Sequence, residues 1–383
     1  MAPGRRVVRS GMPHRPGALP RPYFEARLAV PRGDLVDLSR GDPDHGPPAV
    51  ARAAVADAVA RADSHRYPDP VGAPELRQSF VRFYARRYGV SLDPDEEMIL
   101  VPGTRTAILA LAAIAADDGD GVLVPDPGYP DYFSAALLAG ARIIRLRLDE
   151  DAEYQPDWSS ISANRPSLAF LNYPSNPLGV CAATGTFEVA VEQALQRGMW
   201  LVNDFAYSDI GLRVTPRSIL AVDGARECAA ELWSASKTFG MAGWRIGFLV
   251  GNATLVARVR RFLAHVTGGV WSGFQSALLA ALDDPRDAYI AERCSEYAER
   301  QRAFAAHADV AVPPATYYCW WRVGSDADSI ERDTGVRLTD GALFGPSGAG
   351  YVRASLTVPS AVINRAAERL RLIGPADGQE RFD

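Results

Sequence analysis

The chain has 383 residues, 48% hydrophobic and 23% charged, enough for two domains around a sizeable core. A net charge of -5 and a pI near 5.7 leave no basic footprint for nucleic acid, and its dispersed arginines read as solvated surface charges. The four cysteines (Cys181, Cys228, Cys294, Cys319) form no CxxC pair and the five histidines no HExxH spacing. These spacings argue against a disulfide framework and a zinc site, and favour a reducing cytoplasm.

In chain order, Met1 to Pro20 is rich in Arg, Pro and Gly and lacks the apolar core of a signal peptide. Leu35 to Leu38 reads as a short strand running into a turn at Ser39 to Pro43. An Ala-rich helix follows over Pro48 to Arg61. Pro74 to Tyr88 is a second helix, with Pro in its first turn and Gly89 as its stop. Short apolar strands then alternate with helices. Strands are expected at Met98 to Val101, Gly121 to Val124, Ala141 to Leu146, Leu168 to Leu171, Met199 to Val202, Ala229 to Trp233 and Ile246 to Val250. Helices are expected from Ala107, over Asp131 to Leu138, and over Ala253 to His265. The run Ala107 to Ala116 is half a membrane span and suits a buried helix. This alternation predicts a mainly parallel sheet covered on both faces. From Gln275 the character shifts to a long helix, Asp287 to His307, then two or three strands in Ala311 to Val323 and Tyr351 to Leu356. The expected division is an arm at 1–40 contributing to a small α+β domain, a large domain at 41–274, and the rest of the small domain at 275–383.

One count is unusual. Lys and Arg total 41, yet Lys237 is the only lysine. Arginine serves any job that needs a cation, but only lysine offers an amine that can be deprotonated and attack a carbonyl. The exception therefore points to a position where a primary amine is needed. Lys237 stands just after an apolar strand, between Ser236 and Thr238, close to Ser234, and eight residues before Arg245. A residue at a strand's carboxyl end faces the crevice where open α/β sheets bind ligands. Hydroxyls and an Arg fork suit a phosphate. An amine beside a phosphate site is what a phosphorylated aldehyde requires, and a Schiff-base lysine with an Asp partner is the mark of pyridoxal phosphate (PLP).

The segment Ser234 to Gly247 closely resembles the lysine motif of the fold-type I, class I/II PLP-dependent aminotransferases. Further stretches resemble that family in order: Tyr67-Pro68 with Gly72 and Leu76-Arg77, Asp126 to Pro130, Asn172 to Gly179, Asp204 to Tyr207, and Gly350 to Arg353. The resemblance implies a seven-stranded, mainly parallel sheet with a smaller α+β domain, and transfer of an amino group between an amino acid and a 2-oxo acid. Lys237 would hold PLP as a Schiff base and shuttle the proton. Asp204 would face the pyridine nitrogen, while Tyr207 and Asn176 would hydrogen-bond the phenolate oxygen. Tyr129 would stack on the ring. The amides of Gly103, Thr104 and Arg105 would cradle the phosphate at a helix start, with Ser234, Ser236 and Arg245 completing the cup. Tyr67 would reach the phosphate of a neighbouring subunit, which implies a homodimer. Arg353 would grip the substrate carboxylate by a bidentate pair, beside Gly41 and Asn176. Arg40 precedes Gly41 where the family commonly has an apolar residue. It suggests a substrate with an acidic or polar end, the alternative being an ion pair with Asp42 or Asp44.

Two rival readings stand beside this one. Elimination, decarboxylation, cyclisation and amine oxidation can share the same scaffold and cofactor. A ligand-sensing module of a regulator would carry a DNA-binding domain, for which there is no room before Leu35. A dinucleotide-dependent dehydrogenase fails because no GxGxxG follows a strand.

Overall fold

The computed structural model describes residues 33–161, 166–308 and 310–371. Most of the arm expected at 1–40 lies outside them, and so does the end of the chain. The first strand, β1 (Val36–Asp37), pairs in parallel with β10 (Val336–Arg337), far along the sequence. Val36 and Leu38 are buried in one cluster with Phe304, Ile330, Val352, Ile363 and Leu370.

Between these ends lies a seven-stranded sheet of β2 (Met98–Val101), β3 (Gly121–Asp126), β4 (Arg142–Arg147), β5 (Pro166–Leu171), β6 (Trp200–Asp204), β7 (Ala229–Ser234) and β8 (Gly247–Gly251). Its order is β2-β8-β7-β6-β5-β3-β4. All neighbours are parallel except β8, which runs antiparallel to both β7 and β2. The expectation of a mainly parallel sheet therefore holds. β8 departs from it because the short connection 235–246 returns the chain without a long crossover helix, as an antiparallel pair allows.

The alternation of side chains along each strand explains the two covered faces. Ile99, Val101, Val122, Val124, Phe170 and Leu232 point to one side, against the helices Thr104–Ala115, Pro130–Ala139 and Ala253–Val266. Met98, Leu100, Leu123, Ala169, Leu171 and Trp233 point to the other, against Pro74–Tyr88, Thr186–Arg197 and Ser272–Leu282. Strands buried on both faces must be apolar throughout, as β2 is. The edge strand β4 instead carries Arg142, Arg145 and Arg147, charges that discourage a further strand from pairing there.

The remaining sheet has order β11-β12-β9, antiparallel, from β9 (Tyr318–Arg322), β11 (Thr339–Asp340) and β12 (Tyr351–Ser355). The strand content expected across Ala311 to Val323 shrinks to β9, since Pro313 and Pro314 have no N–H for a ladder. The helices Thr186–Arg197, Ser272–Leu282, Ala327–Thr334 and Ser360–Leu370 are additions to the sequence reading. The helix at Ala107 begins earlier, at Thr104, directly after Gly103. Among the described residues, no helix is long and apolar enough to cross a membrane, and no group of three metal-ligating side chains gathers.

Candidate active site

The carboxyl ends of β6 and β7 deliver Asp204 and Ser234 to the same edge of the sheet, where a cavity of about 380 Å³ opens. Its walls include Gly41, Thr104, Arg105, Tyr129, Asn176, Asp204, Tyr207, Ser234, Ser236, Lys237 and Arg245. Residues as far apart in the chain as Gly41 and Tyr318 thus meet in one cavity.

Lys237 stands in a single helical turn, Ala235–Thr238, whose first amide is capped by Ser234: the Ser236 N–H donates to Ser234 Oγ at 3.3 Å. The Lys237 Nζ donates to the Gly41 carbonyl at 2.7 Å and lies 6.0 Å from the centre of the Tyr207 ring. Burial pushes this amine below its ordinary value, because a desolvated ammonium is disfavoured. That shift raises the share of neutral, nucleophilic amine.

Asp204 is buried at the floor. Its Oδ2 accepts from the Tyr132 hydroxyl at 2.8 Å and its Oδ1 from the Ala206 N–H at 3.2 Å. Burial nevertheless pushes its carboxyl up to about 6. A carboxylate so poorly solvated gains strongly from a cation placed against it.

The opposite end of the cavity is built for an anion. Gly103 precedes the helix Thr104–Ala115, and no side chain caps that helix; the Gly103 N–H donates to the Val101 carbonyl at 2.7 Å and the Thr106 N–H to the Gly103 carbonyl at 3.2 Å. Gly103 has φ +81°, and a Cβ there would sit 2.3 Å from the Arg245 guanidinium. Only glycine lets backbone and guanidinium approach this closely. Arg245 itself holds a left-handed φ of 53°, a costly conformation for a side-chain residue. Burial and the nearby charge of Arg105 both push the Arg245 guanidinium down. Ser236 Oγ is buried without a hydrogen-bond partner. Two cations near one another, an uncapped helix start and a buried unsatisfied hydroxyl together fit the phosphate of PLP. The Tyr129 hydroxyl accepts from Arg105 at 2.9 Å, and Arg105 also pairs with Asp131, so this ring is tied to the anion end.

Four expected residues sit apart from the cavity walls or have other partners. Arg353 is fully buried. It donates to Asn176 Oδ1 at 2.8 Å, the Ser39 carbonyl at 2.7 Å and Thr339 Oγ1 at 3.2 Å, and lies 4.2 Å from the Tyr318 ring centre. It touches the cavity through Asn176 and Tyr318, which are wall residues. The Tyr207 hydroxyl is hydrogen-bonded to that of Tyr318 at 2.9 Å. Tyr67 is 95% exposed and faces no part of this cavity. Arg40 is a correction to the expected pairing: its side chain is 47% exposed and meets Asp37 at 3.3 Å. Asp44, one of its anticipated partners, is taken by Arg300 at 2.9 Å.

Three site residues escaped the sequence reading. Tyr132 lies one helical turn after Tyr129, a spacing that signals a shared face. Asn172 opens the Asn-Tyr-Pro-Ser-Asn-Pro segment and donates to the Asp204 carbonyl at 2.6 Å while accepting from the Asn176 N–H at 2.8 Å. Tyr318 sits in an aromatic run with no mark of function. Its hydroxyl would lie 2.0 Å from a Cβ at Gly41, which explains the glycine there.

A doubly wound sheet with a sunken lysine, a buried aspartate and an anion cup at its carboxyl edge defines a fold-type I pyridoxal-phosphate enzyme. Comparison with known proteins narrows the class. The family model for aminotransferase class I and II matches residues 33–370. The L-glutamine--4-(methylsulfanyl)-2-oxobutanoate aminotransferase of Bacillus subtilis is 32% identical over 373 residues, 92% of this chain and 94% of that protein. The LL-diaminopimelate aminotransferase of Desulforudis audaxviator is 37% identical over 353 residues, 88% and 90% of the two chains. Among solved structures, substrate-bound BacF from Bacillus subtilis matches with a TM-score of 0.90 at 30% identity, covering 94% of this chain and 97% of the other. A probable N-succinyldiaminopimelate aminotransferase from Thermus thermophilus matches with a TM-score of 0.83 at 33% identity, covering 88% and 94%. The chain belongs to the class I and II aminotransferases. It is an amino-group transferase whose family uses pyridoxal 5'-phosphate and acts on amino acids and 2-oxo acids.

Proposed function

We propose that Lys237 is the amine that holds PLP and moves the proton during transfer, and that the cavity around it is the transamination site. When bound, the cofactor supplies a reactive carbonyl carbon and an electron-withdrawing ring. The chain's residues do the rest. Lys237 Nζ, freed by an incoming amino group, would carry a proton between the two carbons that flank the transferred nitrogen, as base and then acid. Asp204 keeps the ring nitrogen protonated, and Tyr132 and Asn172 hold Asp204 in place. Tyr129 packs against the ring. Gly103, Thr104, Arg105, Ser234, Ser236 and Arg245 bind the phosphate. Arg353, steadied by Asn176 and flanked by Tyr318, takes the substrate carboxylate beside Gly41.

The observation that carries this reading is the meeting of the only lysine, a buried carboxylate and a four-part anion cup in one cavity. We take the active unit to be a cytoplasmic homodimer. The support is Tyr67, an aromatic side chain left 95% exposed in the single chain, and four cysteines that stay unpaired. Relatives carry glutamine and LL-diaminopimelate in their names, so these are the first donors to try. The test is incubation of the purified protein with PLP, an amino donor and a 2-oxo acid. Stoichiometric formation of a new amino acid and a new oxo acid is expected. Ammonia or carbon dioxide release without amino transfer would favour elimination or decarboxylation and defeat the proposal.

A further inference from the structure

Asp209 is a fully buried carboxylate that no step above uses, and it is gripped from two directions. Its Oδ1 accepts from Arg87 Nε at 3.0 Å and from the Tyr88 hydroxyl at 2.8 Å, both at the end of the helix Pro74–Tyr88. Its Oδ2 accepts from Trp233 Nε1 at 3.1 Å and from Thr238 Oγ1 at 2.8 Å. Ser208 Oγ adds a longer contact at 3.3 Å, and the Cys294 thiol donates to the Asp209 backbone carbonyl at 3.0 Å. Two of the donors on Oδ2 lie on either side of the lysine: Trp233 is the next-to-last residue of β7, before the turn, and Thr238 directly follows Lys237. Asp209 itself stands two residues beyond Tyr207 and five beyond Asp204, on the loop that leaves β6.

We propose that Asp209 is a positioning residue that fixes the distance between the Lys237 turn and the loop bearing Asp204 and Tyr207. This rests on the reading of Lys237 as the reacting amine. A buried carboxylate must be matched by donors, and four side chains satisfying both oxygens make it a rigid node. The paired Arg87 neutralises its charge, so the node acts by geometry. Its two ends belong to the two segments whose separation sets how far Nζ stands from the ring and its aspartate. Proton transfer between fixed atoms is sensitive to misplacement of an ångström or less. A scaffold that merely needed a buried ion pair would not require both flanks of the lysine to bond the same oxygen.

The test uses the full-length holoenzyme and three variants, Thr238→Val, Thr238→Ser and Asp209→Asn. Thr238→Val removes one hydroxyl and keeps the shape and the carboxylate. It should lower kcat by roughly tenfold while KM for the donor moves less than about threefold, the split expected when a step after binding is impaired. The pH midpoint of the cofactor's visible absorbance change should shift with it, and Thr238→Ser should restore both. Asp209→Asn should reduce kcat further, and combining it with Thr238→Val should add less than the single effects sum to. Unchanged kcat and midpoint in Thr238→Val, with only a lower melting temperature, would overturn the proposal and leave Asp209 structural. If Asp209→Asn does not fold, the Thr238 pair decides alone. Failure of the underlying reading looks different: the visible band would survive in Lys237→Arg.

Discussion

Lys237 and Gly41 stand 196 residues apart in sequence, yet the lysine Nζ donates to the glycine carbonyl at 2.7 Å. The Tyr317 hydroxyl donates to the same carbonyl at 3.2 Å. The amine is thereby held at the junction between the large sheet and the part of the chain built around β9 and β12. Burial also weakens the basicity of this amine, which raises the neutral share able to condense with a carbonyl.

The first prediction follows from lysine's uniqueness. Borohydride reduction of the holoenzyme should fix the cofactor to one peptide, the one containing Lys237. Lys237→Arg preserves the cation but has no amine able to condense with a carbonyl. Peptide mass mapping should find no cofactor adduct in that variant, and turnover should fall by several orders of magnitude. An adduct on the amino terminus alone in the wild-type protein would contradict the assignment.

Lys237 stands out in the sequence because a chain that writes nearly every cation as Arg marks the one position that keeps a primary amine. The strands of the large sheet were legible because residues buried on both faces leave apolar runs, as in Met98–Val101. Tyr318 and Tyr132 were not, because a tyrosine in the core and one in a site have the same local pattern. Only the fold brings Tyr318 against Gly41 and Tyr132 against Asp204. The ion pair offered as the alternative for Arg40 differs for a related reason: Asp42 and Asp44 lie nearest downstream, but the turn brings Asp37 to it at 3.3 Å. The helix Ser360–Leu370 was missed although its buried Ile363, Ala366, Ala367 and Leu370 have helical spacing.

Gly103 offers a test of the anion cup. Gly103→Ala meets two obstacles, a φ of +81° and an Arg245 nitrogen 2.3 Å from the new Cβ. Gly185→Ala meets only the first, with φ +87° and nothing within 4 Å. Both should lose about 1 kcal/mol or more of stability from the backbone conformation. Only Gly103→Ala should lose cofactor affinity, by roughly tenfold or more, equivalent to one charge-assisted hydrogen bond. PLP titration followed by absorbance checks this, and equal affinities in the two variants would remove Arg245 and Gly103 from the phosphate site.

Asp204 should impose a cost on the cofactor-free protein. Its folded carboxyl lies at about 6, raised from an ordinary 3.8 chiefly by burial. Between these values the folded state binds more protons than the unfolded one, so stability falls as pH rises from about 4 to about 6 and stays lower above it. Removing the charge by Asp204→Asn should therefore stabilise the cofactor-free protein at pH 7.5, by an amount of order 1–3 kcal/mol. The advantage should disappear at pH 4. With PLP bound the order should reverse, because the wild-type carboxylate then has a cationic partner. Melting curves with and without cofactor test this, and an Asn variant less stable than wild type in both states would refute it.

Arg353 and Arg40 should separate cleanly in substrate kinetics. Arg353 is buried, and its guanidinium is oriented by Asn176, Ser39 and Thr339. A ligand carboxylate that joins this set gains a fork of two parallel hydrogen bonds. Arg353→Lys keeps a charge but supplies a point donor on a flexible stem. Its kcat/KM should fall by roughly tenfold to a hundredfold, about 1.5–3 kcal/mol for a hydrogen bond to a charged group. The loss should appear mainly in KM, and for every amino acid, since all share the carboxylate. Arg40, half exposed and paired with Asp37, has a different expectation. The Arg40 end of this pair is solvated, which keeps its contribution to about 1 kcal/mol, so Arg40→Ala should change acidic and apolar donors alike and by less than about threefold. A selective loss on an acidic donor would instead bring Arg40 to the substrate's far end, reached by a side-chain movement from its place beside Asp37.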